Sequence, residues 1–349
     1  MMRLSPIVSM TFLVLLSGCT GVPIPSERSA RLDLAEVSSR YRPGDAKPDL
    51  PVLRAESSIE DYLRFAMLNN PNVEAAYYEW AASVEQITAL RSRPDPRLTF
   101  KADILSVVAA TTAGLMVDLP GPGKLRAAGN VAAAESQGRY FAFEAEVLRA
   151  AFAVKNAYYR LQFLEDTIRV QRENLKLLED LEQLARQQNA AGRATLQDVL
   201  RAQIEQEQLK TRIENLEDSR SVLLAEFKTA LGMGAEETAP PVPTKFTFSG
   251  ETPDRETILR IASQRNPIIQ QMAVEVKRAQ AMLDLARKAG VPDFSVGLEA
   301  DFNKASPVLW APSASITLPI WRDKIAAQIA GAQAGKRAAE ARLHGERIQ

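Results

Sequence analysis

From Gly123 the chain contains no proline until Pro240, and the apolar residues between them recur at helical spacing. Val147, Ala151, Val154, Tyr158, Leu161, Leu164, Ile168, Leu175, Leu178, Leu181 and Leu184 advance in steps of three or four, with one longer gap, as one face of a helix requires. The stretch "NAAGRAT" interrupts the run: Gly192 supplies a break, and Thr195 can cap a following helix. A second apolar series runs from Leu196 through Val199, Leu209, Ile213, Leu216, Leu223 and Phe227 to Leu231. Gly232, Gly234 and the "APPVP" at 239–243 end it. The first helix, from about Gly123 to Gln188, would reach roughly 100 Å at 1.5 Å per residue. Two such rods bury little area against each other, so they need partners along their length or stand as a free coiled coil. The Ala-rich starts, Ala127 to Ala134 and Ala326 to Ala341, suit close helix approach.

The rest of the chain reads as two copies of one pattern. Asn70-Pro71 in a segment beginning at Ser58 recurs as Asn266-Pro267 in one beginning at Asp254; Pro96 recurs as Pro292, and Lys124 as Lys324. In each copy a short helix ends before Asn-Pro, because the residue before proline is pushed out of the α region. A second helix follows, to about Leu90 or Lys288. The period then changes from helical to two. Leu98, Phe100, Ala102 and Ile104 alternate with Arg97, Thr99, Lys101 and Asp103; Phe294, Val296, Leu298, Ala300 and Phe302 alternate with Ser295, Gly297, Glu299 and Asp301. The return strands alternate as well, in Leu115, Val117 and Leu119, and in Ala314, Ile316 and Leu318. A soluble sheet with one wet face alternates in the same way. Strands of this length with an apolar outside and a polar inside also suit a membrane barrel.

The N-terminus bears on that choice. Arg3, the apolar run Ile7 to Leu16 and the small residues Ser17 and Gly18 form a secretory signal over residues 1–18, too short to span a bilayer. Leu16-Ser17-Gly18-Cys19 resembles a bacterial lipobox, in which the cysteine is acylated and becomes the mature N-terminus; an ordinary signal with an incidental cysteine is the alternative. Thr20, not aspartate, follows Cys19, which favours the outer membrane. Residues 19–57 read as a lipidated tether with little core.

Composition narrows the functions. Lys+Arg and Asp+Glu both number 43, so the basic excess of a nucleic-acid binder is absent. A single cysteine excludes an internal disulfide and any multi-cysteine metal site. The one histidine, His344, falls in a polar helix near the C-terminus. No catalytic constellation, metal site or cofactor loop stands out. "LPGPGK" at 119–124 fails as a phosphate loop, because Asp118 and Leu125 occupy the positions where that pattern needs glycine and a hydroxyl residue. It sits instead where a strand turns into a long helix, as "LPIWRDK" does in the second copy.

These residues resemble the TolC-like outer-membrane efflux proteins, many of which are lipoproteins. The resemblance is carried by the paired Asn-Pro helices, "LPGPGK" and "LPIWRDK", "AYYRL" at 157–161, "AGRATLQDVLRAQ" at 191–203 and "LLAEFKTALGM" at 223–233. It implies a mostly α fold with a small β part, built as a duplicated helix, β-hairpin and long helical-hairpin unit. The first repeat is expected at 58–243, with its β-hairpin at 97–119 and helical hairpin at 123–231. The second is expected at 244–349, with its β-hairpin at 293–318 and a long helix starting at 322. It further implies a homotrimer in the outer membrane with a shared β-barrel and a periplasmic α-barrel. Its partners would be a periplasmic adaptor and an inner-membrane pump, in tripartite efflux or type I secretion, and it would act as a passive duct with no cofactor and no enzymatic activity. Arg97, Lys101, Asp103, Glu299 and Asp301 would line the pore. Gly192, Thr195, Leu196 and Asp198 match the periplasmic tip, and Cys19 would carry the lipid. The competing reading is a coiled-coil lipoprotein that tethers the outer membrane to a periplasmic partner. Measured against the first repeat, the second stops within its long helix, so an incomplete protomer is also expected.

Overall fold

The computed structural model describes residues 22–104, 108–243, 253–303 and 307–348. The signal segment 1–18 and Cys19 lie outside the described residues. In order, the elements are α1 (Pro25–Tyr41), α2 (Ile59–Asn69), α3 (Pro71–Arg91), β1 (Arg97–Ile104), β2 (Val108–Leu119), α4 (Lys124–Ala190), α5 (Leu196–Ala230), α6 (Arg255–Arg265), α7 (Pro267–Arg287), β3 (Asp293–Asn303), β4 (Leu309–Thr317) and α8 (Arg322–Ile348). The chain is mostly helical with few strands. The sequence helix, helix, strand, strand, long helix occurs twice, once from α2 and once from α6.

By packing, the chain divides into two units. Among the described residues, one comprises 22–36, 80–139 and 269–348; the other comprises 37–79 and 140–268.

The second of these units has its core where α2, α4 and α5 present apolar faces. Tyr62, Ala66, Val154, Tyr158, Leu161, Leu164, Ile168, Leu223, Phe227 and Leu231 are buried together. The steps of three and four along α4 produce this stripe. The Tyr62 ring packs against Tyr158 and Phe227 with centroids 5.6 and 5.3 Å away. Ion pairs fasten the two long helices outside the core: Arg220 Nε and Nη2 reach the two carboxylate oxygens of Glu165 at 2.6 and 2.7 Å, and Arg160 meets Glu226 at 2.6 Å.

Each Asn-Pro pair serves two helices. Asn70 N–H closes α2 on Ala66 O, while its side chain accepts from Asn72 N–H at 2.9 Å, capping α3, whose first residue is Pro71. Asn266 repeats this with Ala262 O and Ile268 N–H, at φ −64° against −70° for Asn70. A proline at the first helical position loses no hydrogen bond, since that N–H has no partner in the helix.

The segment 19–57, expected to be a tether with little core, is different where it is described. Pro25–Tyr41 is a helix, and Glu27, Tyr41 and Arg42 are buried. Arg42 donates from Nη2 to Leu68 O at the end of α2, and its guanidinium lies 4.1 Å from the Tyr41 ring centroid. Tyr41 also packs on Tyr77 and Phe143, and burial pushes its hydroxyl pKa up to about 12. The reason for the departure is physical: the helix is held largely by polar and aromatic groups, which leave no apolar period in the sequence.

In the unit that carries the sheet, Ile87, Ala132 and Ala133 are buried, with Ile24 and Ala30 against them. The small alanines of early α4 allow the close approach their spacing predicted. The four strands form one antiparallel sheet in the order β1-β2-β3-β4. Both hairpins fall where alternation placed them, and β2 pairs with β3 through Leu119↔Phe294, Val117↔Val296 and Leu115↔Leu298.

Candidate pore-lining face and helical tip

The register assigns every strand residue to one of two faces, because successive residues alternate. One cross-strand row is Leu98, Leu115, Leu298 and Pro312; the next on that face is Phe100, Ala113, Ala300 and Trp310. Leu98, Phe100, Leu298 and Trp310 are exposed, Phe100 by 74%. In water such a face would be costly, and a contiguous apolar surface of this kind marks a membrane or protein partner.

The opposite face is polar. Lys101 shares a row with Thr112 and Asp301, and Thr99 shares one with Gly114 and Glu299. Lys101 Nζ lies 3.3 Å from Glu299 Oε1, Arg97 Nη2 lies 2.6 Å from Asp118 Oδ2, and Ser295 Oγ donates to Asp118 Oδ1 at 2.7 Å. Thr112 Oγ1 is 3.5 Å from Asp301 Oδ1. Arg97, Lys101, Glu299 and Asp301 therefore occupy one face, and Asp103, opposite Ala110, holds the matching register position. Asp118 and Asp293 belong there too and were not singled out from the sequence. Asp118 stands between Val117 and Leu119 in an alternating strand, which is signal enough to place it. Acidic groups outnumber basic ones on this face.

At the far end of α4 the chain reverses in a tight turn. Gly192 N–H bonds Asn189 O and Arg193 N–H bonds Gln188 O, the paired bonds that end a helix through a left-handed residue. Gly192 has φ +69°, which side chains other than glycine's adopt at a cost. Thr195 Oγ1 accepts from Asp198 N–H, and the Asp198 carboxylate accepts from Thr195 N–H at 2.9 Å, a reciprocal cap on α5. The Thr195 hydroxyl and N–H hold the Asp198 carboxyl below its usual range. Leu196 is 63% exposed, and Leu200 and Ile204 continue an exposed apolar strip on α5. The four tip residues named from the sequence thus sit in one turn.

A second apolar stripe runs along α4, distinct from the buried one. Leu148, Phe152, Tyr159, Phe163, Val170, Leu177, Leu181 and Leu184 are exposed, Phe163 by 75%. Leu181 and Leu184, which continue the helical spacing of the buried residues before them, lie on this open side.

Among the described residues no helix is long and apolar enough to cross a membrane, and no group of three or more His, Cys, Asp and Glu is placed to hold a metal.

The fold of the chain is that of solved outer-membrane channels. The outer-membrane channel OprN superposes with a TM-score of 0.68 at 17% identity, covering 87% of this chain and 76% of its own. The outer membrane protein VceC of Vibrio cholerae gives 0.66 at 17% identity, covering 83% and 75%. The open state of the Neisseria gonorrhoeae MtrE outer membrane channel gives 0.66 at 17% identity, covering 86% and 77%. No curated protein sequence matches significantly. The outer membrane efflux protein family matches residues 63–233, across α2 to α5. Over those residues the chain is similar to that family.

Proposed function

We infer that this chain is the outer-membrane duct of an efflux system and works as a homotrimer. The observation that carries the reading is the sheet. β1 and β4 are both edges, and open edges with an exposed apolar face call for further strands and a non-aqueous surround. Three copies, each adding four strands, would close a barrel with its apolar face to lipid and its polar face to the lumen. The exposed stripe on α4 suits side-by-side packing of long helices into a periplasmic wall. Nothing in the competing reading, a coiled-coil tether, uses four strands with an apolar outer face.

Within this reading Arg97, Lys101, Asp103, Glu299 and Asp301 line the lumen, where their acidic excess favours cations. Gly192, Thr195, Leu196 and Asp198 form the tip that meets a periplasmic adaptor, which links the duct to an inner-membrane pump. Cys19 is acylated and anchors the N-terminus in the outer membrane. Transport is passive, with no bond made or broken.

The test is reconstitution of the full chain into planar bilayers, together with unheated and heated gel electrophoresis. The duct predicts discrete, cation-favouring conductance and a heat-dissociable trimer. An elongated monomer without conductance would defeat it.

A further inference from the structure

Helices α4, α7 and α8 enclose a groove of about 830 Å³, within the size range of small-molecule sites. Its floor is apolar, from Val131, Met282 and Leu285. Four basic side chains line it, Lys124, Arg278, Lys288 and Arg342, against one acid, Glu275. Two of the four are already balanced. Lys124 Nζ lies 2.8 Å from both oxygens of Asp293, and Arg278 meets the two oxygens of Glu275 at 2.6 and 2.8 Å. Lys288 and Arg342 close no ion pair among the described residues, although Arg342 adds to the Arg278 hydrogen bond in holding the Glu275 carboxyl below its usual range. Lys288 lies over the turn into α4, its Nζ 3.5 Å from where a Cβ on Gly123 would stand. Arg278 and Lys288 are roughly 15 Å apart along the chain at helical rise. One unbalanced cation thus serves each end of the apolar floor.

The α8 wall keeps the groove wide. Gly331 and Gly335 line it, and a Cβ at either would meet nothing within 4 Å. Glycine weakens a helix interior relative to alanine, and no close approach within the chain asks for these two.

Two observations say which way the groove opens. Asp293 alternates with Phe294 and so shares the polar face of the sheet with Ser295 and Glu299; Lys124 ties the groove to that face. The repeat agrees. Thr88 and Arg91 of α3, which hold Glu27 of α1, match Asp284 and Arg287 of α7 at the shift that relates Asn70 to Asn266. Those positions lie about 140–160° around α7 from Met282. The groove is therefore back to back with the surface that α1 covers in the first copy, and no α1-like helix fills it.

Resting on the duct reading above, we propose that this groove binds an apolar-bodied organic anion passing through the lumen, its acid group against Lys288 or Arg342 and its body on Met282 and Leu285. A carboxylate or sulfonate on an aromatic or alkyl body fits both parts. A hydrated inorganic anion would leave the floor bare, and an uncharged hydrophobe would leave the cations unmatched. The acidic face of the sheet begins next to the groove at Asp293, so charge does not draw the anion further in. The groove is a passing site, since a conducting path must bind weakly enough to let go.

The experiment uses the full chain in neutral-lipid nanodiscs and two fluorescent probes, pyrenebutyrate and its uncharged analogue pyrenebutanol, with empty discs subtracted. Pyrenebutyrate should bind more tightly than pyrenebutanol and weaken with added salt. Lys288→Gln and Arg342→Gln should each loosen it by about two- to fivefold, as partly exposed ion pairs do, and the double variant by about tenfold. Lys277→Gln, on the other side of α7, should change nothing. Gly335→Leu fills the groove and should abolish binding while the heat-dissociable oligomer persists. Equal binding of the two probes, or Lys288 and Arg342 variants that bind like wild type, overturns the anion site and leaves the duct reading standing. Loss of oligomer in Gly335→Leu also overturns it, by making the groove a subunit contact. A wild-type chain with neither oligomer nor conductance overturns the duct reading and, with it, the site's place in transit.

Discussion

Lys101 on β1 and Glu299 on β3 lie 198 positions apart, yet meet on the polar face of the sheet with Nζ 3.3 Å from Oε1. One strand separates them, so the pair fixes the facing of β1, β2 and β3 together. Every residue between them in the register then has its side assigned.

That assignment predicts unequal effects from adjacent substitutions. Leu298→Arg puts a charge on the apolar face, at roughly 2–4 kcal/mol if it sits near the bilayer midplane. Glu299→Arg stays on the polar face and loses only a partly exposed ion pair, worth little. Barrel assembly, read from folded and unfolded bands on unheated gels, should fail for Leu298→Arg and largely survive for Glu299→Arg. Equal effects would refute the faces.

Glu27 anchors the start of α1. Its buried carboxylate receives Arg91, Thr88 Oγ1 at 2.6 Å and Arg31 Nε at 3.4 Å, while Arg31 in turn holds both oxygens of Glu85 at 2.9 Å. Chiefly through the Arg91 hydrogen bond, its pKa falls from 4.5 to about 2. A carboxyl with a depressed folded pKa gives stability that is complete above about 4.5 and fades as pH drops toward about 2. Glu27→Gln should cost on the order of 3 kcal/mol at neutral pH and flatten the acid limb of stability. Urea unfolding followed by tryptophan fluorescence, to which buried Trp80 contributes, measures both. An unchanged acid limb would count against the network.

At the tip, Thr195→Ala removes the cap on α5, worth about 1 kcal/mol. Gly192→Val forces a branched side chain to φ +69°, at roughly 1–2 kcal/mol. Both should loosen the turn without touching the sheet. Hydrogen exchange at residues 189–199 should rise while conductance of the reconstituted channel stays the same, and export in cells should fall. Intact export in both variants would remove the tip from adaptor contact.

Cys19 is expected to be acylated. Mass spectrometry of the mature N-terminus should find a lipid-modified cysteine, and Cys19→Ser should release the modification. An unmodified terminus elsewhere would end that reading.

Much of this fold was legible because its signals are periodic. The two strand hairpins, the 67-residue helix α4 and the break at Gly192 fall where alternation, helical spacing and glycine indicated. What escaped was aperiodic. Helix α1 is held by Glu27 and Arg42, whose burial depends on partners far along the chain and leaves no stripe to read. Asn70 and Asn266 were seen only as neighbours of a proline, although an asparagine before a helix-starting proline is itself a capping signal. Leu181 and Leu184 carry the same spacing as the core residues before them, and spacing along one helix cannot tell a face buried within the chain from one left open.

The pairing of Leu119 with Phe294 has a consequence in time. β1 and β2 are made early and can meet through a short loop, but β2 finds β3 only after helices α4 to α7 have been made between them. Closing so long a loop is entropically costly and slow. Until then the exposed apolar side chains of Leu98, Phe100 and Leu115 stand on a lone hairpin. The first hairpin therefore crosses the interval between synthesis and assembly as the part of the chain most exposed to aggregation, and a holding chaperone should be needed for it earlier, and for longer, than for the second.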